Sequence, residues 1–458
     1  MKAFIKNPGS FPIFMIFAVA VAAGSFFTFS LDHPVIQDDD AGQYDIIGRN
    51  LAQGRGFSLE RSAPYSPTML REPVYPFFLS LIYRVFGYSL AMVQAFQIFI
   101  FAVTCVLTYM IAYTLFGSKV ALSSALLTSL SPALANYPSY ILSEALFTFL
   151  LCLAILFLTI AIKERKNPWF LISGVIVGLA ILCKAVMALF FIMVLLGIFL
   201  SDTRRPNAFK RNAVSFIIFM VPLLIIVGSW SYRNHSLFKT YQISLRGGSA
   251  LWERSLKSDD SLKEMGQALA FNFSEYLGSK LFPGSAENPR DFILSGSKRS
   301  FAKESELARE GFSPVEADKM MRREAVKKLW KHPIKFLAYI PIESVKMTAF
   351  MYIPTLNEPH IIAVFEKLKQ GRALLALIRG AVRMSAYPIL ILALFGMFSE
   401  RSSWRRWYFL LAAIIYVNLI YSMIFAMGRY AVALTSFYMI FAMVGLFRIL
   451  NGRFQNNV

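Results

Sequence analysis

Ten apolar runs, most of them long enough to cross a bilayer, restrict this chain more than any other feature. They lie at about 11–31, 89–116, 119–137, 140–162, 168–185, 187–201, 212–231, 380–398, 406–426 and 430–448. A hydrocarbon layer ~30 Å thick takes about 20 helical residues to span, and two of the runs are short, so their boundaries are soft. The chain of 458 residues is 56% hydrophobic and 15% aromatic, too apolar for one water-facing core of that length. These features imply an all-α polytopic membrane protein with about ten or more transmembrane helices.

Charge supplies the sidedness. There are 47 Lys+Arg against 27 Asp+Glu, a surplus of +20. Every second connector is basic: Lys2 and Lys6; Lys119; Lys163, Arg165 and Lys166; Arg204, Arg205, Lys210 and Arg211; Arg401, Arg405 and Arg406; Arg448 and Arg453. Membrane proteins retain such residues in the cytoplasm, so both termini are expected there, in a multi-pass protein of the cell (inner) membrane. No basic patch with interleaved aromatics stands outside the apolar runs, which argues against nucleic acid as a partner. Cys105, Cys152 and Cys183 all lie in apolar runs without metal-ligand or CxxC spacing and read as small core residues. The first run follows Lys2 and Lys6 and could be a signal peptide ending near Ala22 and Ala23, but its length favours an uncleaved first helix.

The remaining connectors then face outward: 32–88, 136–139, a turn at 184–186, 232–379 and 426–429. Three regions follow. Residues 1–231 form an N-terminal transmembrane module with a first outer loop at 32–88, 232–379 form a large extracytoplasmic or interfacial segment, and 380–458 form the last transmembrane helices. Within the long segment, 334–354 is apolar but interrupted by Glu343 and Lys346, which suits an amphipathic juxtamembrane helix lying in the interface. Residues 255–331 are charged, with helical patterning around 316–330, and suggest a solvated subdomain. There is no internal repeat.

Polar residues at the membrane boundary are costly and usually functional or paired. This topology brings to the outer face Asp38, Asp39 and Asp40, then Arg71 and Glu72, Glu144, Lys184, Arg233 and Arg429. Each has a plainer reading: a solvated acidic loop, a helix cap at Ser143-Glu144, a snorkelling lysine, or arginines anchoring headgroups. What favours function is that all of them share one side.

The same residues fall in motifs that resemble the GT-C glycosyltransferases, in the branch of the protein O-mannosyltransferases and the lipid A aminoarabinose transferase. Asp40-Ala41-Gly42-Gln43-Tyr44, Asn50 to Ser58, Pro73-Val74-Tyr75-Pro76 and Phe86-Gly87 are similar to the first outer loop of that family. Ser143 to Phe147 is similar to its fourth-helix start, and Gly178 to Lys184 to its glycine-to-lysine stretch. Trp230 to Asn234, followed by Gly247 to Trp252, resembles the exit to the large loop, and Gly428-Arg429-Tyr430 the final outer turn. Family members often carry prolines after that turn, where this chain has Ala433 and Ser436. The ordered set runs from about 11 to 448, while 255–378 matches no motif of the family.

The resemblance implies a GT-C architecture and a sugar donor on a polyprenyl phosphate, transferred at the extracytoplasmic face to a lipid, glycan or protein hydroxyl. It assigns Asp40 and Glu72 to catalysis, with Asp40 the general base. Tyr44, Arg71, Tyr75, Glu144, Lys184, Arg233 and Arg429 would bind substrate, with Lys184 and Arg233 on the carrier phosphate. Crowding of Asp38, Asp39 and Asp40 is expected to raise the pKa of at least one of them, as suits a base. No cofactor is indicated by the motifs, and a divalent metal is allowed but not indicated, His33 and His235 being the only imidazoles nearby. A flippase or transporter should show paired halves and midplane charges. An O-antigen polymerase or ligase should concentrate its cations in a late outer loop. A non-catalytic envelope scaffold is the third alternative.

Overall fold

The computed structural model describes residues 9–30, 35, 39–201, 207–273, 278, 280–283, 289–348 and 373–455. Lys2, Lys6, His33, Asp38, Arg204, Arg205 and 349–354 lie outside the described residues, as do the side chains of Asp39 and Arg453. The chain is all helical: among the described residues the only β pairing is an isolated bridge between Ser58 and Pro67.

The helices are α1 (Ser10–Ser30), α2 (Asp39–Ala52), α3 (Val74–Phe86), α4 (Leu90–Phe116), α5 (Ser118–Ser129), α6 (Pro132–Asn136), α7 (Glu144–Glu164), α8 (Asn167–Cys183), α9 (Phe190–Leu200) and α10 (Ala208–Phe238). They continue with α11 (Arg246–Leu256), α12 (Leu262–Phe273), α13 (Pro289–Arg309), α14 (Pro314–Lys331), α15 (Pro333–Met347), α16 (Ala373–Ser399), α17 (Tyr408–Ile424), α18 (Gly428–Ala431) and α19 (Thr435–Gln455). Long apolar helices cover Ser10–Phe29, Leu90–Phe116, Glu144–Glu164, Ala208–Phe238 and Gly428–Asn451, and shorter ones include Asn167–Cys183, Met384–Ser399 and Tyr408–Ile424.

Local chemistry explains where helices depart from the apolar runs. The run at 119–137 is not one helix: α5 ends at Ser129 and Pro132, which has no N–H to continue the ladder, opens the short α6. The run at 187–201 starts with a 3-10 turn, Ala185–Leu189, before α9. Conversely α10 continues past its apolar run to Phe238, carrying Trp230, Arg233 and Asn234 on its last turns. Close packing sets the frame. A Cβ on Gly174 of α8 would sit 2.0 Å from the Phe219 carbonyl oxygen of α10, so only glycine lets these two backbones touch.

The connector between α1 and α4 folds as two helices packed on each other, α2 and α3. Tyr75, Leu79, Ile82 and Tyr83 of α3 face inward, whereas Phe77, Leu81 and Val85 stay exposed. The loop between them is held by Asn50, whose Nδ2 donates to the Ser58 and Glu60 carbonyls at 2.9 Å each. Beyond α10, α11 packs on α14 and α15 packs on α17. The helix expected around 316–330 is α14, opened by a Ser313/Glu316 capping box. All three cysteines are free and buried.

Candidate active site

A cavity of about 420 Å³ opens where α2, the start of α7, the end of α8, the start of α11 and the turn before α18 converge. Seven residues nominated from the sequence line it: Asp40, Tyr44, Arg71, Glu72, Glu144, Lys184 and Arg429. They come from opposite ends of the chain, and charge pairing draws them together.

Asp40 is the hub. It takes a short hydrogen-bonded ion pair from Arg71, one of 2.6 Å from Arg429 Nη2 and one of 3.1 Å from Arg246 Nη2. Burial pushes the Asp40 carboxyl up, but the coulombic pull of Arg71, Arg429 and Arg246 outweighs it and holds the group well below the usual carboxylate range. The expectation of a raised pKa from neighbouring acids is therefore corrected for Asp40: its close neighbours are cations. Arg71 is locked from two sides, with Nε donating to Gln43 Oε1 at 2.7 Å and the guanidinium 5.2 Å from the Tyr44 ring centre.

A second pair lies beside the hub. Lys184 Nζ meets Glu144 Oε1 at 3.0 Å and lies 5.0 Å from the Tyr430 ring centre. Arg429 bridges the two groups, its Nε 3.9 Å from Glu144 Oε1. Glu144 opens α7, yet Ser143 makes no side-chain cap there; its carboxylate is used across the cavity instead. Glu72 accepts from Ser244 Oγ at 3.0 Å and from the Ala185 N–H at 3.4 Å. Among the described residues no three His, Cys, Asp or Glu side chains group as ligands for a metal ion; the cavity's carboxylates are interleaved with cations.

Two nominated residues are not brought to the cavity. Tyr75 is fully buried below it, donating to Gln97 Oε1 at 2.9 Å and meeting the Tyr44 ring edge-on at 5.0 Å, so it supports the wall rather than facing a ligand. Arg233 Nη1 donates to the Thr68 carbonyl at 2.8 Å and to Asn234 Oδ1 at 2.9 Å. Its guanidinium packs among the rings of Trp230, Phe57 and Phe238. Arg233 thus ties the connector between α2 and α3 to α10 and is not among the cavity-lining residues.

Arg246, Ser244 and Gln43 were not singled out from the sequence. Arg246 is the first residue of α11, a helix that starts without a side-chain cap of its own. The Gly248 N–H donates to Asp318 Oδ1 of α14 at 2.6 Å, so an acid on another helix serves the free N–H near the start of α11. A Cβ on Gly248 would lie 2.2 Å from the Asp318 carbonyl oxygen. The glycine pair 247–248 was the available signal: it permits the close approach that sets Arg246 over Asp40.

With this geometry in view, residues 67–232 match the family model of dolichyl-phosphate-mannose-protein mannosyltransferases. No curated protein matches the chain in sequence. Among solved structures, the Archaeoglobus fulgidus oligosaccharyltransferase in complex with Zn and sulfate aligns at a TM-score of 0.52 and 12% identity, covering 95% of this chain and 49% of that one. Archaeal oligosaccharyltransferase AglB from the same organism, in complex with an inhibitory peptide and a dolichol-phosphate, aligns at 0.53 and 12%, covering 97% and 52%. ArnT from Cupriavidus metallidurans, bound to undecaprenyl phosphate, aligns at 0.39 and 16%, covering 95% and 78%. The chain spans about half the length of the oligosaccharyltransferase it matches, and at such identities the likeness is one of fold. The fold is thus like that of the oligosaccharyltransferase, and the stretch carrying Arg71, Glu72, Glu144 and Lys184 is the one that matches the family model of dolichyl-phosphate-mannose-protein mannosyltransferases.

Proposed function

We propose that the chain is a glycosyltransferase that moves a sugar from a polyprenyl-phosphate carrier to an acceptor hydroxyl of a lipid, glycan or protein at the extracytoplasmic face. The observation that carries the reading is the cavity in which Arg71, Arg246 and Arg429 converge on a single carboxylate with Lys184 beside them. Around Asp40 itself three arginines outnumber one carboxylate, a local cationic patch that suits a lipid phosphate, while Glu72, Glu144, Glu253 and Glu304 line the rest of the cavity.

In the reaction the acceptor oxygen attacks the anomeric carbon, the bond to the phosphate oxygen breaks with its electron pair, and the acceptor proton passes to a carboxylate. The leaving phosphate is a stable anion, so one base and fixed cations suffice. Asp40 is the base in this reading. With its arginines engaged it is a weak proton acceptor. A donor phosphate that draws Arg246 and Arg429 toward itself would release the carboxylate and raise its basicity, coupling donor binding to activation. Glu72, which makes no ion pair among the described residues, is the other carboxylate of the cavity proposed to act in catalysis. Lys184 would hold the donor phosphate, with Glu144 orienting Lys184 and the acceptor.

The test is to incubate the purified protein with polyprenyl-phosphate sugars and acceptors, and to measure release of free lipid phosphate. Acceptor-dependent release supports transfer. Movement of intact lipid between leaflets would sink the reading in favour of a flippase, and consumption of diphosphate-linked oligosaccharide would favour a polymerase or ligase.

A further inference from the structure

The junction of α14 and α15 carries a surface that the cavity does not use. Trp330 is 79% exposed at the end of α14, Ile334 82% at the start of α15, and Leu337 59% one turn further on. Val326, one turn before Trp330, is 40% exposed. Beside this apolar row on α14 runs a basic one, Arg323, Lys327 and Lys331, spaced i, i+4, i+8 and all exposed. Large aromatic and aliphatic groups this open, rimmed by cations, mark a docking face rather than ordinary solvated surface.

Its place in the fold selects the partner. The other end of α15 is fixed to a membrane helix: Ser344 Oγ and Ser422 Oγ of α17 are 3.0 Å apart, and Met347 is buried in the main core. From Ser344 back to Ile334 is ten residues, so the apolar row begins about 15 Å along α15 from its contact near the end of α17. We propose that the α14–α15 junction docks on the surface of the leaflet in which the chain is embedded, Trp330, Ile334 and Leu337 entering the headgroup layer while Arg323, Lys327 and Lys331 engage anionic phospholipid headgroups. The docking holds α14, and through it α11, against the bilayer. The inference does not depend on sugar transfer.

The full-length protein in lipid nanodiscs tests it. A nitroxide is placed at I334C and, as a water-facing control, at E310C, with unsubstituted protein checking that the buried native cysteines stay unlabelled. Collision with oxygen, which concentrates in lipid, is compared with collision with a water-soluble nickel chelate. The oxygen-to-nickel ratio is expected to be several-fold higher at position 334 than at 310, to rise further in phosphatidylglycerol than in phosphatidylcholine discs, and to lose that lipid dependence in K327Q/K331Q. Free access of nickel to position 334 overturns the proposal, and so does shielding from both reagents, which would mean a protein covers the face. A ratio indifferent to lipid charge overturns the anionic-headgroup contact.

Discussion

Asp40 shows how a single residue can be placed by charge before any substrate arrives. D40N keeps the shape but removes the charge that competes for Arg71, Arg246 and Arg429. The expected result is loss of transfer together with tighter binding of polyprenyl phosphate, by roughly tenfold if about 1.4 kcal/mol of competition is relieved. Titration calorimetry of the lipid phosphate against wild type checks it, and an active D40N enzyme would remove the proposed base. K184M should weaken donor binding more than acceptor binding; equal weakening of both would contradict a phosphate role. Acid stability follows from the sign of the Asp40 shift. Its folded pKa lies below the ordinary 3.8, so its contribution is full above that value and is lost only as pH falls through the depressed one. The difference in thermal stability between wild type and D40N should therefore stay flat from about pH 8 to pH 5. Most of this cluster was legible in sequence, because one-sided charges flanking apolar runs are rare and must be used. Arg233 stands apart from the cavity-lining residues, and in sequence a cation at a span end reads the same whether it faces a ligand or holds a loop.

At the scale of elements, α11 depends on its partner helix. Gly248 and Asp318 set the start of α11, and hence Arg246, against α14. In G248A the added methyl meets a backbone oxygen, so the two helices must separate, at a cost of about 1–3 kcal/mol. D318A instead leaves the Gly248 N–H unserved. Both are expected to lower donor affinity in the same direction as R246A, and neither should add much on top of R246A in a double-mutant cycle. Full additivity would show that the clamp acts on stability alone. This arrangement was not readable from the chain, since residues 248 and 318 are distant and their contact requires the packing of two helices. The breaks in the apolar runs were missed for a related reason: hydropathy averages over Pro132 and over the 3-10 turn at Ala185–Leu189, whereas backbone geometry does not.

For the whole molecule, the positions of the charged residues along the chain matter as much as their chemistry. The site takes Asp40 and Arg71 from the connector between α1 and α4, Glu144 and Lys184 from α7 and the end of α8, Arg246 from the start of α11 and Arg429 from α18 just before α19. The ion pair between Asp40 and Arg429 joins residues 389 positions apart. A chain made from its N-terminus presents Asp40 long before Arg429. Until then the early carboxylate lacks one of its three counter-cations and the cavity lacks a wall. The site is therefore assembled only once residue 429 has been made, and a chain that stops short of it would lack this wall of the cavity.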